Sequence, residues 1–212
     1  KAYGKTDRFF IKQFEEETNL RCQIVIDDYS SMYFPAVLPP LKGGRGDVNK
    51  IKYSVHCAAA LLYLLKKQRD AIGLSVFSDK VKLHSQAKSN YAHQKMLFTE
   101  LEKLLLPAQE GEHKKSFTAE ALHEIAESIH KRSLVIIFSD MMESGKKGEE
   151  LFSALQHLRH NKHEVILFHV VDKSKELDFE FENRPYNFID METGERVKVH
   201  PNEIKETYIR SM

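Results

Sequence analysis

Cysteine is scarce in this 212-residue chain, which holds only Cys22 and Cys57. Cys22 opens an apolar run and Cys57 lies inside an apolar helical pattern. Both therefore read as small core hydrophobes in a reducing compartment rather than as a disulfide pair. An excess of one charge is also lacking: 32 Lys and Arg face 31 Asp and Glu, for a formal net charge of +1. That balance argues against bulk electrostatic binding to nucleic acid, and no basic tract on one face stands out. Long hydrophobic runs are absent, since nothing approaches the roughly 20 apolar residues of a membrane span. No secretory leader pattern is visible. The expectation is a cytoplasmic protein without membrane contact. The sequence has no phosphate-cradling Gly loop, nucleophile elbow or Cys-x-x-Cys pair, and no internal repeat. It begins with Lys1 rather than Met, which suggests a fragment of a longer chain.

What is present suits one domain with one sizeable core. Phe9, Phe10, Ile11 and Phe14, followed by Glu15, Glu16 and Glu17, read as a charged edge arm over 1–21. The stretch from Cys22 to Met32 follows. Its unbroken Ile24-Val25-Ile26 run fits a strand buried on both faces, and it ends in Asp27 and Asp28. Pro and Gly residues between Phe34 and Asp47 mark a loop, and Asp47 suits a helix cap. From Val48 to about Arg69, Ile51, Val55, Ala58, Ala59, Leu62 and Leu65 recur at three and four, the pattern of a deeply packed helix. Ile72 to Ser78 reads as a strand that turns at Asp79-Lys80 into an alternating strand, Val81 to Ser85. Helices are expected over 90–106, ended by Pro107, over 116–130 with Ser116 as a cap, and over 148–160. Strands are expected over Leu134 to Phe138 and Val165 to Val171. Thr193-Gly194 marks a hairpin turn in the tail, and a short helix starts near Pro201. Alternating strands and helices predict a three-layer, mostly parallel α/β core over 22–172 with right-handed connections, followed by a β/helical appendage over 173–212.

In open α/β sheets, ligands sit at the carboxyl ends of the strands. Asp27 and Asp140 both follow apolar strands. If those strands are neighbours, their ends lie about 5 Å apart, and the two carboxylates can converge on one hard cation such as Mg²⁺, with Ser31 and Thr118 as neutral oxygen donors. The same residues can equally serve as caps and turns.

The pattern resembles a von Willebrand factor A domain, whose metal-ion-dependent adhesion site is written Asp-x-Ser-x-Ser with a later Thr and Asp. More closely, Phe9 to Met32, Ile72 to Asp79, Leu134 to Asp140 and Asp190 to Glu195 are similar to the bacterial domain-of-unknown-function family number fifty-eight. The resemblance covers most of the chain in order. It implies a three-layer von Willebrand A-like fold with one antiparallel edge hairpin and helices on both faces. It implies a non-enzymatic interaction module that works with a MoxR-type AAA+ ATPase in assembling or activating other proteins. It also implies Mg²⁺ or Mn²⁺, bound weakly or not at all, at Asp27, Ser31, Thr118 and Asp140. Tyr29 stands where the motif has Ser, and its phenol oxygen lies too far from the backbone to replace that ligand. Lys115 replaces a small residue of the loop before Thr118.

Two other readings follow from the same stretch. One is a metal-independent scaffold with Tyr29, Ser30, Met32, Tyr33 and Phe34 as partner anchors. The other is a phosphatase of the haloacid-dehalogenase type, in which Asp27 is the nucleophile. That motif places a second Asp two residues on, where this chain has Tyr29, and neighbouring Asp27 and Asp28 point apart. The spare lysines Lys115 and Lys146 are its candidate phosphate ligands. His157, His160 and His163 recur at intervals of three and suggest a metal site only if they share a face. Arg45-Gly46-Asp47 reads as a turn and cap.

Overall fold

The structure, a computed structural model, describes residues 20–35, 48–106, 118–141, 146–189 and 194–211. Five strands form one sheet: β1 (Arg21–Asp27), β2 (Ala71–Phe77), β3 (Val81–Lys88), β4 (Leu134–Ser139) and β5 (Glu164–His169), in the order β3-β2-β1-β4-β5. β1 pairs in parallel with both β2 and β4, β4 pairs in parallel with β5, and only β3 runs antiparallel. The expected edge hairpin is therefore β2–β3. It runs past Ser85 because Lys88 still pairs with Ile72 across a register shift.

The apolar runs are buried on both faces, and alternation assigns each residue to a layer. Ile24, Ile26, Ile136 and Phe138 pack with Val55, Ala58 and Leu62 of α1 (Lys50–Gln68) and with Leu97 and Leu101 of α2 (Tyr91–Lys103). Val25, Val135 and Ile137 pack with Leu122 and Ile125 of α3 (Thr118–Ser128) and with Leu151, Ala154 and Leu158 of α4 (Lys146–His160). This is a three-layer α/β architecture with helices on both faces.

α1 starts two residues later than the spacing suggests. Asn49, not Asp47, is its cap, accepting from the Lys52 amide at 3.0 Å. Both residue types serve at that position, so sequence chemistry alone does not choose between them. Asp47 itself, the Arg45-Gly46 pair, the arm over 1–19, Pro107, Ser116 and the loop before Thr118 lie outside the described residues. After β5, a π-helical turn at Lys173–Leu177 leads to the hairpin β6 (Tyr186–Ile189) and β7 (Arg196–Val199), then to α5 (Pro201–Ser211). Gly194 takes a φ of 73° in the connection, consistent with the expected turn. Phe179, Phe181 and Phe188 cluster there, with Tyr208 of α5 against Phe179 at 4.7 Å.

One polar ladder crosses the sheet. Gln23 donates to Ser75 Oγ at 2.9 Å and to the Ser85 carbonyl at 3.2 Å, and His84 Nδ1 meets Ser75 Oγ at 2.9 Å. Gly73 makes room for it: a Cβ there would stand 2.1 Å from Gln23 Oε1 and 2.5 Å from the Ser85 carbonyl.

Candidate functional site

Asp27 and Asp140 end neighbouring parallel strands, so the sheet brings them to one edge as expected. Both are buried, at 3% and 4% exposure. Asp27 Oδ1 accepts from the Tyr29 amide at 3.0 Å, and Oδ2 accepts from Ser139 Oγ at 2.5 Å. Ser139 Oγ accepts in turn from the Met141 amide at 3.0 Å. Burial, reinforced by the nearby Asp140 charge, pushes the Asp27 carboxyl up to about 7; the two hydrogen bonds pull it down by less.

Asp140 has a partner that the sequence reading missed. Lys50, the first residue of α1, is 3% exposed. Its ammonium donates to Asp140 Oδ2 at 2.9 Å and to Glu176 Oε1 at 2.6 Å. Glu176 Oε2 accepts from the Asp172 amide at 2.6 Å, and Asp172 Oδ1 accepts from the Lys175 amide at 2.7 Å, so the π-helical turn is closed at both ends. The Phe34 ring lies 5.9 Å from Lys50 Nζ, and the Lys50 amide donates to the Phe34 carbonyl at 3.1 Å. The buried cation thus joins four segments: the turn after β1, the start of α1, the end of β4 and the turn after β5. One signal could have found it, because Lys50 shares the buried face of α1 with Ser54, Ala58 and Leu62.

Asp28 points away from Asp27, as expected. It accepts from Tyr33 Oη at 2.6 Å and from Lys82 Nζ at 2.5 Å. Burial, then the bond to Asp28, raises the Tyr33 phenol above its usual range.

Ser31 lies half-buried in the 3-10 turn Ser30–Tyr33. Thr118 starts α3, and its side chain lies outside the described atoms. Two of the five candidate anchors are misplaced for a partner. Met32 is fully buried and Tyr29 is 6% exposed. The short turn carries Met32 inward, where it packs in the core with Ile26, Ile51 and Val55. Ser30, Tyr33 and Phe34 remain half-buried at the edge.

The two acids of the candidate metal site are already engaged within the protein. Both Asp27 oxygens hold protein hydrogens, Asp140 is paired with an ammonium, and a buried Tyr29 stands in place of a Ser ligand. Among the described residues, no group of three or more His, Cys, Asp or Glu can hold a metal. The three histidines of the second candidate site do not converge. His157 meets His123 at 2.9 Å and Glu127 at 2.7 Å, whereas His163 is buried beside Ser133.

The parallel sheet, the two helical layers and the acid-bearing strand ends define a von Willebrand factor A-like domain. The chain belongs to the family described as Protein of unknown function DUF58, whose model matches residues 2–212. Among solved structures, it is similar to an aerotolerance-related membrane protein from Bacteroides fragilis carrying multiple mutations to serine. Identity there is 15% over 91% of this chain and 87% of that one, with a TM-score of 0.50. It is similar to the conserved hypothetical protein BatB from Bacteroides thetaiotaomicron, at 14% identity over 91% and 85% of the chains and a TM-score of 0.49. A third similar structure is the SpRpn10 VWA domain, at 13% identity over 71% and 88% and a TM-score of 0.37. No curated protein sequence matches significantly. Among the described residues, no helix is long and apolar enough to cross a membrane.

Proposed function

We propose that this chain is a non-enzymatic protein-binding module that uses the carboxyl edge of its sheet without a metal ion. The observation that carries this reading is Lys50, whose ammonium lies 2.9 Å from Asp140 and 2.6 Å from Glu176 in a buried setting. A metal-ion-dependent adhesion site works by leaving one metal position open for a partner carboxylate. Here the cation is covalently part of the chain and its charge is already met by two carboxylates. Lys50 therefore fixes the shape of the edge rather than reaching a partner, and contact falls to Ser30, Tyr33 and Phe34. The partner implied by the family resemblance is a MoxR-type AAA+ ATPase.

Co-purification of this chain with a purified ATPase of that type, with and without chelator, tests the reading. Complex formation is expected to be the same in both. A complex abolished by chelator would favour the second reading, in which Asp27, Ser31, Thr118 and Asp140 hold Mg²⁺ or Mn²⁺. What supports that second reading is the pair of buried acids at adjacent strand ends, where burial first and then the Asp140 charge raise the Asp27 carboxyl and a divalent ion would relieve the repulsion.

A further inference from the structure

The opposite edge of the same sheet holds a charge cluster that the interaction reading does not use. Two short basic tracts, His130-Lys131-Arg132 and Arg159-His160-Asn161-Lys162-His163, lie about thirty positions apart in sequence. Each leads into a parallel strand, and β4 and β5 pair with Leu134 opposite Glu164. Arg132 and Lys162 therefore occupy equivalent positions, two residues before paired strand residues. Their backbones match as well: both are left-handed, with φ of 60° and 61°. The loops are tied together by the Glu164 amide on the Ser133 carbonyl at 3.0 Å and the Ser133 amide on His163 Nδ1 at 3.2 Å. Asn161 Nδ2 anchors the second loop to the Ala126 carbonyl at 3.2 Å.

Between the loops is a cleft of about 480 Å³ lined by Lys131, Arg132, His160, Asn161 and Lys162. No carboxylate lines it. Among the described residues, Lys131, Arg132 and Lys162 make no ion pair and no side-chain hydrogen bond, although the chain holds nearly equal numbers of acids and bases. Three cations around one cleft with no carboxylate in its lining make a positive potential that draws anions to it. The ligand chemistry follows from the lining. A guanidinium fork matches phosphate geometry, and lysines add point charges. Three cations suit a group with more than one negative charge, which a phosphate carries and a lone carboxylate does not. No Phe, Tyr or Trp lines the cleft, so recognition falls chiefly on the phosphate. The volume lies within the usual span of ligand sites, about 300–1,000 Å³.

We infer that this cleft binds a multiply charged phosphate group, from either a soluble diphosphate or a lipid headgroup. The test is titration of the intact chain with inorganic pyrophosphate by calorimetry at low ionic strength. In parallel, the chain is sedimented with phosphatidylcholine vesicles with and without phosphatidic acid. Saturable binding of pyrophosphate assigns a soluble source, and binding only to acidic vesicles assigns the headgroup; each supports the site and each weakens with added salt. The triple variant Lys131→Gln, Arg132→Asn, Lys162→Asn keeps residues that tolerate left-handed backbone at the last two positions. It is expected to lose affinity by at least about tenfold, roughly the value of one charge-assisted hydrogen bond. A second variant, Lys131→Glu alone, weakens binding without touching a left-handed position, and Lys205→Gln on α5 leaves it unchanged. Absence of binding to both probes overturns the proposal, as does binding that survives the triple variant.

Discussion

The two ends of one sheet treat positive charge in opposite ways. At the carboxyl edge, Lys50 is buried and matched by Asp140 and Glu176. At the amino edge, Lys131, Arg132 and Lys162 crowd a cleft and are matched by nothing described. A buried ion needs its partners because desolvation is costly; an exposed one is screened and can stand alone. The first end is built for the integrity of the fold. At the second, the charged groups are exposed and make no ion pair among the described residues.

The largest effect is expected from breaking the matched end. Lys50→Met leaves two carboxylates buried without a cation and should lower stability by about 3–5 kcal/mol in denaturant titrations. Adding Asp140→Asn and Glu176→Gln to that variant should restore most of it. A loss under about 1 kcal/mol would place Lys50 with ordinary surface pairs and remove the contrast.

Gly73→Ala probes the other matched polar element, the ladder from Gln23 to His84. Its Cβ would meet Gln23 Oε1 at 2.1 Å and the Ser85 backbone oxygen at 2.5 Å. The side chain can yield but the backbone cannot, so a loss of about 1–3 kcal/mol is expected by thermal or chemical unfolding. Wild-type stability there would mean that the β2–β3 pairing is looser than its register shift implies.

A smaller effect comes from acid. His163 and His84 are held neutral, chiefly by burial, below the ordinary value of 6.5. The unfolded chain then takes up protons that the folded chain refuses. The stability from these groups is full above pH 6.5 and is lost as pH falls through their depressed folded values. Asp27, raised to about 7, works in the other sense, costing stability as pH rises from the ordinary carboxyl range through 7. The histidine contribution is therefore read as the difference between the chain and His163→Asn, which keeps an acceptor for the Ser133 amide. The variant should lose less stability between pH 7 and pH 5; equal losses would show that His163 does not titrate in that range. The smallest effect belongs to the unmatched end, where the triple replacement of Lys131, Arg132 and Lys162 should change stability by no more than about 0.5 kcal/mol.

Much of the frame was legible in the residues. Apolar runs ending in acids located β1 and β4 and put Asp27 and Asp140 at strand ends; that the two strands are neighbours came from the sheet itself. What escaped was long-range pairing. Lys50 reads as an ordinary polar residue before the first apolar position of a helix, and its partners are 90 and 126 positions away. Met32 reads as an exposed anchor because a 3-10 turn carries no periodicity by which to judge its side. The two basic tracts are ordinary singly, and only the register of β4 on β5 brings their loops together. Ser139, which holds Asp27, was hidden in plain view before Asp140, since a serine at a strand end has many uses.

The most direct test of the central claim is a calorimetric titration of Mg²⁺ and of Mn²⁺ into the intact chain and into Tyr29→Ser. With Lys50 holding Asp140, both proteins should give no heat and no thermal shift at millimolar ion. Saturable single-site binding by the unaltered chain would contradict the claim, and so would binding created by Tyr29→Ser alone, because either would mean that Asp140 is free to leave Lys50 for an ion.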